Sequence, residues 1–114
     1  METTPEPWTF AASEALARID FARRVPFAEV LTHGTLMAGY YAPRSEDHQQ
    51  PHTRDEVYIV VTGSGEFVRG DERAAFAPGD LLFVPAHMAH RFENFSDDFG
   101  CWVLFWGPEG GEAS

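Results

Sequence analysis

The chain has 114 residues, with eighteen acidic side chains against eight basic ones and a formal charge of -10; every basic residue is an arginine. That length supports one domain with its own core, and the lack of a basic stripe excludes binding to nucleic-acid backbones. The lack of lysine excludes Schiff-base chemistry through a side-chain amine.

In chain order, "METTPEPWTF" has neither a basic n-region nor an apolar h-region, so it does not read as a signal peptide. Residues 1–9 read as loosely attached. "ASEALARI" predicts a short helix, with Ser13 as its cap and Leu16 and Ile19 sharing a face. It closes an N-terminal segment, residues 1–26. No segment has the length of a transmembrane helix, and the expected compartment is the reducing cytoplasm.

From Pro26 the pattern changes to short β-branched and aromatic runs: "FAEVLT", "TLMAGYYAP", "EVYIVVTG", "GEFVRG", "RAAFAP", "DLLFVPA", "HRFENF" and "FGCWVLFWG". Gly, Pro, Asn and Asp punctuate them, as in an all-β sandwich or small barrel. Nothing between them has helical period, which disfavours a parallel α/β fold. His33 and Gly34 mark a hairpin-like break. "RGD" at Arg69 to Asp71 reads as a two-residue hairpin turn with Gly-Asp at its tip rather than as an adhesion motif.

In "FGCWVLFW" both alternating faces are apolar: Trp102, Leu104 and Trp106 on one, Cys101, Val103 and Phe105 on the other. A strand with one wet face alternates apolar with polar, so both faces must be covered here. The N-terminal segment or a second subunit could do this, and a homodimer is the expectation. Cys101, in this apolar run, reads as a buried, inert thiol. The tail, residues 107–114, is Gly-rich and acidic and reads as mobile.

Polar chemistry concentrates in two places, "DHQQPHTRDE" and "PGDLLFVPAHMAHRFENF", which together hold His48, His52, His87 and His90, four of the five histidines. In the second, Gly79, Pro85, His90 and Asn94 fall at the spacing of the second cupin motif: Gly, five residues, Pro, one, Gly, two, His, three, Asn. His87 stands where that motif has its second Gly. In the first, His52, Glu56 and Gly63 match the later part of the first cupin motif, while Gln50 and Arg44 replace its first His and leading Gly. On these residues the chain resembles the cupin superfamily over roughly residues 27–106.

The resemblance implies an all-β fold, an antiparallel jelly-roll β-barrel with a short N-terminal helix, its motif residues pointing into the mouth. It implies a divalent metal held by His52, Glu56 and His90, and places Gln50 at the substituted ligand position. Two imidazoles and one carboxylate suit Fe(II) with open positions; Zn(II), Mn(II) and Ni(II) remain open. By two-residue alternation Gln50 shares a face with His52, as a weak fourth ligand or a substrate contact, and His48 could coordinate if the segment bends. His87, near the mouth, and Tyr58, on the parity of Glu56, are the proton-transfer candidates. Arg54 and Arg91 flank the ligands and read either as anion receivers or as solvated side chains. Phe67, Phe83, Phe92 and Trp102 read as core.

The functional expectation is a small-molecule cavity at the metal. It would serve an oxygenase or an isomerase or lyase, or else a non-catalytic small-molecule sensor. A metal-free, epimerase-like site could recast His52 and Glu56 as base and orienter, but leaves His90 unexplained.

Overall fold

The computed structural model describes residues 7–113. Helix α1 spans Ala12–Ala17, and eight strands follow: β1 Phe27–His33, β2 Leu36–Tyr41, β3 Asp55–Thr62, β4 Gly65–Arg69, β5 Glu72–Phe76, β6 Leu81–Val84, β7 His90–Glu93 and β8 Gly100–Trp106. These are the eight runs expected from the sequence. They form a five-stranded sheet, β1-β2-β8-β3-β6, and a three-stranded sheet, β5-β4-β7. All pairings are antiparallel. The architecture is of the jelly-roll type, with the two sheets facing each other and not closed by hydrogen bonds into a continuous barrel.

Both tight hairpins follow from turn chemistry. His33 pairs with Leu36 around Gly34 and Thr35, with Gly34 at a φ of 58°. Arg69 pairs with Glu72 around Gly70 and Asp71, so "RGD" is a hairpin tip. Gly63, a motif residue, takes a φ of 85°, and a Cβ there would stand 2.6 Å from the Phe99 Cα. Two constraints therefore select glycine at this strand end.

The core between the sheets is aromatic. From the five-stranded sheet come Tyr41, Tyr58, Val60, Val84, Cys101, Val103 and Phe105; from the other come Phe67, Phe76 and Phe92, with Phe99 closing one end. Phe92 is the hub, its ring 4.7 Å from Phe99, 4.9 Å from Tyr58 and 5.0 Å from Phe67 between centroids. Burying each such ring contributes about 1.5–3 kcal/mol. Cys101 is fully buried, and burial pushes its thiol pKa well up, which makes it inert. Phe83, expected in the core, is instead 45% exposed. It sits on edge strand β6, on the opposite face from buried Val84.

The helix differs from expectation in two respects. It starts after Ala11 without any side-chain cap, so Ser13 lies inside the first turn. Ala15 and Ile19 are the buried positions and Leu16 is exposed, because α1 lies against β1 and β2 with the side that carries Ala15. Ala15 and Ile19 cluster with Ala28, Tyr40 and Ala42, and Trp102 packs at the edge of this second core. The N-terminal segment thus covers part of the outer face of β8. Among the described residues no helix is long and apolar enough to cross a membrane.

The tail expected to be mobile is tied to the body through residue 112. Gly107 N donates to Thr35 Oγ1, Gly110 N to the Thr53 carbonyl, and Glu112 N to Asp55 Oδ2. Asp55 also accepts from Ala86 N at 2.9 Å. These backbone donors, Glu112 first, hold the Asp55 carboxyl below the usual carboxylate range. A depressed folded-state pKa adds stability that is complete above the unfolded value of about 3.9 and is lost as pH falls through the folded value. Asp55→Asn is therefore expected to lower Tm at pH 7, with the difference from wild type closing below about pH 3.9. Thermal melts at pH 7 and in this acid range check it, and a pH-independent difference would exclude this role for the charge.

Candidate metal centre

Strand β3 carries Glu56 and Tyr58 on its inner face, and β7 brings His90 from the opposite sheet. His52 comes from the irregular segment just before β3, its ring edge-on to Phe105 at 4.8 Å. The structure brings His52, Glu56 and His90 together, with one donor atom from each lying within 4.8 Å of the other two. Donors of one transition metal stand about 2.0–2.2 Å from it, so small inward adjustments would close this group on a single ion.

Glu56 supplies the sharpest test of fit. It is fully buried, and neither carboxylate oxygen accepts an aligned hydrogen bond. His90 Nε2 comes within 2.8 Å of Glu56 Oε1, as close as a hydrogen bond but without its alignment, and His52 Nε2 lies at 3.8 Å. A buried carboxylate without hydrogen bonds is costly. His90 Nδ1 lies 2.8 Å from the Met88 carbonyl. A carbonyl only accepts, so Nδ1 carries the proton and Nε2 presents a lone pair. A lone pair facing a carboxylate at this distance requires a cation or a proton between them. The donor set therefore fits a divalent metal.

The imidazole electrostatics agree. Burial would lower the His90 pKa, but the Glu56 carboxylate and the Met88 carbonyl outweigh it, and the net direction is up. The carboxylate that would attract a cation therefore also favours a proton on His90. For His52 burial dominates over the pull of Glu56 and moves the pKa down, which keeps that imidazole neutral.

Behind the donors runs a buried hydrogen-bond chain. Tyr58 Oη lies 3.0 Å from His90 Nε2 and donates to Gln49 Oε1 at 2.6 Å. Gln49 Nε2 donates to Asp47 Oδ2 at 2.7 Å. Asp47 also accepts from Phe92 N, Gln49 N and the Tyr41 hydroxyl. Burial, then the Glu56 charge, raises the Tyr58 pKa well above its ordinary value, so the hydroxyl keeps its proton.

This loop chemistry corrects the expectation for Gln50. Two-residue alternation would put Gln50 beside His52, but residues 47–54 are not a strand. Asp47 pins the loop, so Gln49 lines the cavity and Gln50 is exposed. His48 does not belong to the donor group; its Nε2 faces Glu46 at 3.5 Å. His87 is exposed and outside the cavity lining. It takes a φ of 68° at the position where the second cupin motif has glycine, and its backbone N donates to the His52 carbonyl at 2.6 Å. Its contact with the site is therefore architectural. Arg54 donates to the Thr35 carbonyl and Arg91 to Glu93, so neither is free to receive an anion in the site.

The cavity measures about 190 Å³. Gln49, His52, Glu56 and Tyr58 form its polar side, and Phe27, Val103 and Phe105 part of its apolar side. Arg23 also lines it, from the segment between α1 and β1. Sequence reasoning did not single out Gln49 or Arg23. For Gln49 the available signal was Asp47 two residues earlier, a turn-forming Asx residue that resets parity.

Because Glu56 is a buried carboxylate without aligned hydrogen bonds, and because His90 can turn neutral once that charge is gone, Glu56→Leu is expected to leave the metal-free protein at least as stable as wild type. Urea unfolding in the presence of chelator checks this. A clear loss of stability would mean that the carboxylate anchors the fold.

Comparisons agree with this picture. A family model described as a cupin domain matches residues 39–106. The chain is 36% identical over 85 residues to the uncharacterized protein SCO3923 of Streptomyces coelicolor, covering 73% of this chain and 81% of that one. A shorter match, 42% identical over 53 residues, is to an acireductone dioxygenase of Drosophila pseudoobscura pseudoobscura. It covers 42% of this chain and 28% of that enzyme. Among solved structures, an uncharacterized conserved protein with a double-stranded β-helix domain from Klebsiella pneumoniae superposes with a TM-score of 0.71. The two are 17% identical, with coverage of 89% and 90% of the chains, a likeness of fold.

Proposed function

The chain belongs to the cupin family, and from that premise we propose that it holds one divalent transition metal at His52, Glu56 and His90, beside a cavity that binds a small molecule. The observation that carries this reading is the buried Glu56 carboxylate, which lacks hydrogen bonds and faces two imidazoles. When bound, such a metal supplies a Lewis-acid centre with open positions for substrate and for oxygen or water.

The protein's own groups would do the rest. His90 is oriented through Nδ1 by the Met88 carbonyl, an outer partner of the kind that fixes a ligand's tautomer. Tyr58 holds a proton at Oη beside the donor group, and Gln49 aims it. Phe27, Val103 and Phe105 would give a bound molecule an apolar wall beside the donor group. On this arrangement the activity is that of an oxygenase or of an isomerase or lyase, with Tyr58 as the proton-transfer residue. The acireductone dioxygenase match favours the oxygenase of the two. The other reading, a non-catalytic sensor, would have the same metal present the ligand without turning it over.

Metal analysis after reconstitution with Fe(II), Mn(II), Ni(II) or Zn(II) tests the centre. Wild type is expected to hold one ion per chain, and His52→Ala, His90→Ala and Glu56→Gln to lose affinity by tenfold or more. Gln50→Ala and His48→Ala should retain it. Full metal content in the first three variants would end this assignment.

A second copy is the proposed partner. An apolar groove remains on the outer face of the large sheet, lined by Val30, Ala38, Ile59, Trp102 and Leu104, with Phe10 at its edge. Light scattering is expected to give twice the chain mass, and Leu104→Arg to halve it. A monomeric wild type would refute the pairing.

A further inference from the structure

The cavity contains one cation that the metal reading does not use. Arg23 lines its mouth, and among the described residues its guanidinium forms no ion pair or hydrogen bond. Arg54 and Arg44 lie outside the cavity lining and are engaged, Arg54 with the Thr35 carbonyl and Arg44 with the carbonyls of Ala42, Pro43 and Phe99. In a chain with a formal charge of -10, a guanidinium beside a pocket without a carboxylate partner is conspicuous.

Its placement is built. Asp20 Oδ1 accepts from Ala22 N at 3.0 Å, and Arg23 N donates to the Asp20 carbonyl at 3.1 Å, which turns the chain just after Ile19. Phe21 lies under the Arg44 guanidinium at 4.8 Å and fastens this turn to the body. Val25 and Phe27 then continue directly into the cavity wall. One short segment thus contributes both a charged end and an apolar wall.

We propose that the cavity takes a small organic anion, a monocarboxylate received by the Arg23 guanidinium with its apolar body on Val25, Phe27, Val103 and Phe105. This deepens the proposed function by naming its ligand class, and rests on that cavity being the ligand site. A guanidinium fork matches a carboxylate through two parallel hydrogen bonds, which an ammonium cannot reproduce. The volume of about 190 Å³ limits the body to a short aliphatic chain or a single ring. The acidic exterior repels anions at long range, so a local cation is needed to select one.

The test titrates acetate, butyrate and benzoate, each beside its primary amide, into metal-free and zinc-loaded full-length protein, followed by backbone amide NMR shifts. Butyrate or benzoate is expected to bind at least tenfold more tightly than its amide. Arg23→Met should weaken the carboxylates about tenfold and leave the amides unchanged, with Arg23→Lys between. Arg24→Met is the control. Arg24 is exposed and outside the cavity lining, so its removal changes the net charge equally and should change nothing else. The proposal is overturned if no carboxylate binds, if the amides bind equally well, or if Arg23→Met and wild type agree in both metal states. Zinc content of the same samples separates the two readings. Arg23-dependent binding in protein that takes up neither zinc nor Fe(II), Mn(II) or Ni(II) would retire the metal centre alone, and full zinc uptake with binding indifferent to Arg23 would retire the anion site alone.

Discussion

The buried carboxylate of Glu56 is the constraint around which the rest of the site is organised. It lies fully inside the sandwich, on the central strand pairing of β3 with β8, opposite Phe105 and Val84. A strand chosen for stability alone would place an aliphatic side chain there. The position instead holds a charge with no aligned hydrogen bond, a cost the fold bears because aromatic packing nearby is extensive. Sites destabilised in isolation and relieved by a bound partner are the usual trade between stability and function. The carboxylate raises the His90 pKa against the effect of burial, so a proton on that imidazole is favoured beside it.

The same logic explains the polar loop that crosses the mouth. Asp47 collects donors from Tyr41, Gln49 and the Phe92 backbone, and so links the loop to β2 and β7 together. Through Gln49 it fixes the Tyr58 hydroxyl, and through Tyr58 it reaches His90. Each polar atom along this path is satisfied, which is what permits a buried network to be rigid rather than costly. The donor residues are therefore oriented by groups from both sheets. A shift of β7 against β3 would be felt first at the donor atoms.

Much of this was legible in the chain. The eight strand runs could be read because Gly, Pro and Asx residues punctuate short β-branched stretches, and a strand's period is local. His52, Glu56 and His90 could be picked out because fixed spacings in two motifs leave little freedom. What failed was extrapolation beyond regular structure. Parity carried Gln50 into the site, although the backbone before Asp55 is not extended, and Gln49 takes that place. Ser13 looked like a cap because its chemistry fits one, yet the cap is Ala11, two residues earlier, and Ala15 and Ile19 are the buried positions. Phe83 looked like core because its neighbours are apolar, but β6 is an edge strand and edge residues can face solvent.

Arg23 was invisible for a different reason. Its relevance depends on a contact between segments far apart in sequence, and no spacing rule encodes that. In the fold it belongs to a stretch that does two jobs at once. Upstream, Ala15 and Ile19 cover the outside of the large sheet; downstream, Val25 and Phe27 reach the inside edge of the same sheet. The chain can pass from one face to the other only around the sheet's rim, and the turn at Asp20 to Arg23 is where it does so. A side chain at that rim is close to the cavity mouth without being buried in it. A residue there can therefore vary its charge at little cost to the core, whereas the donor group of the interior is held by packing on both sheets.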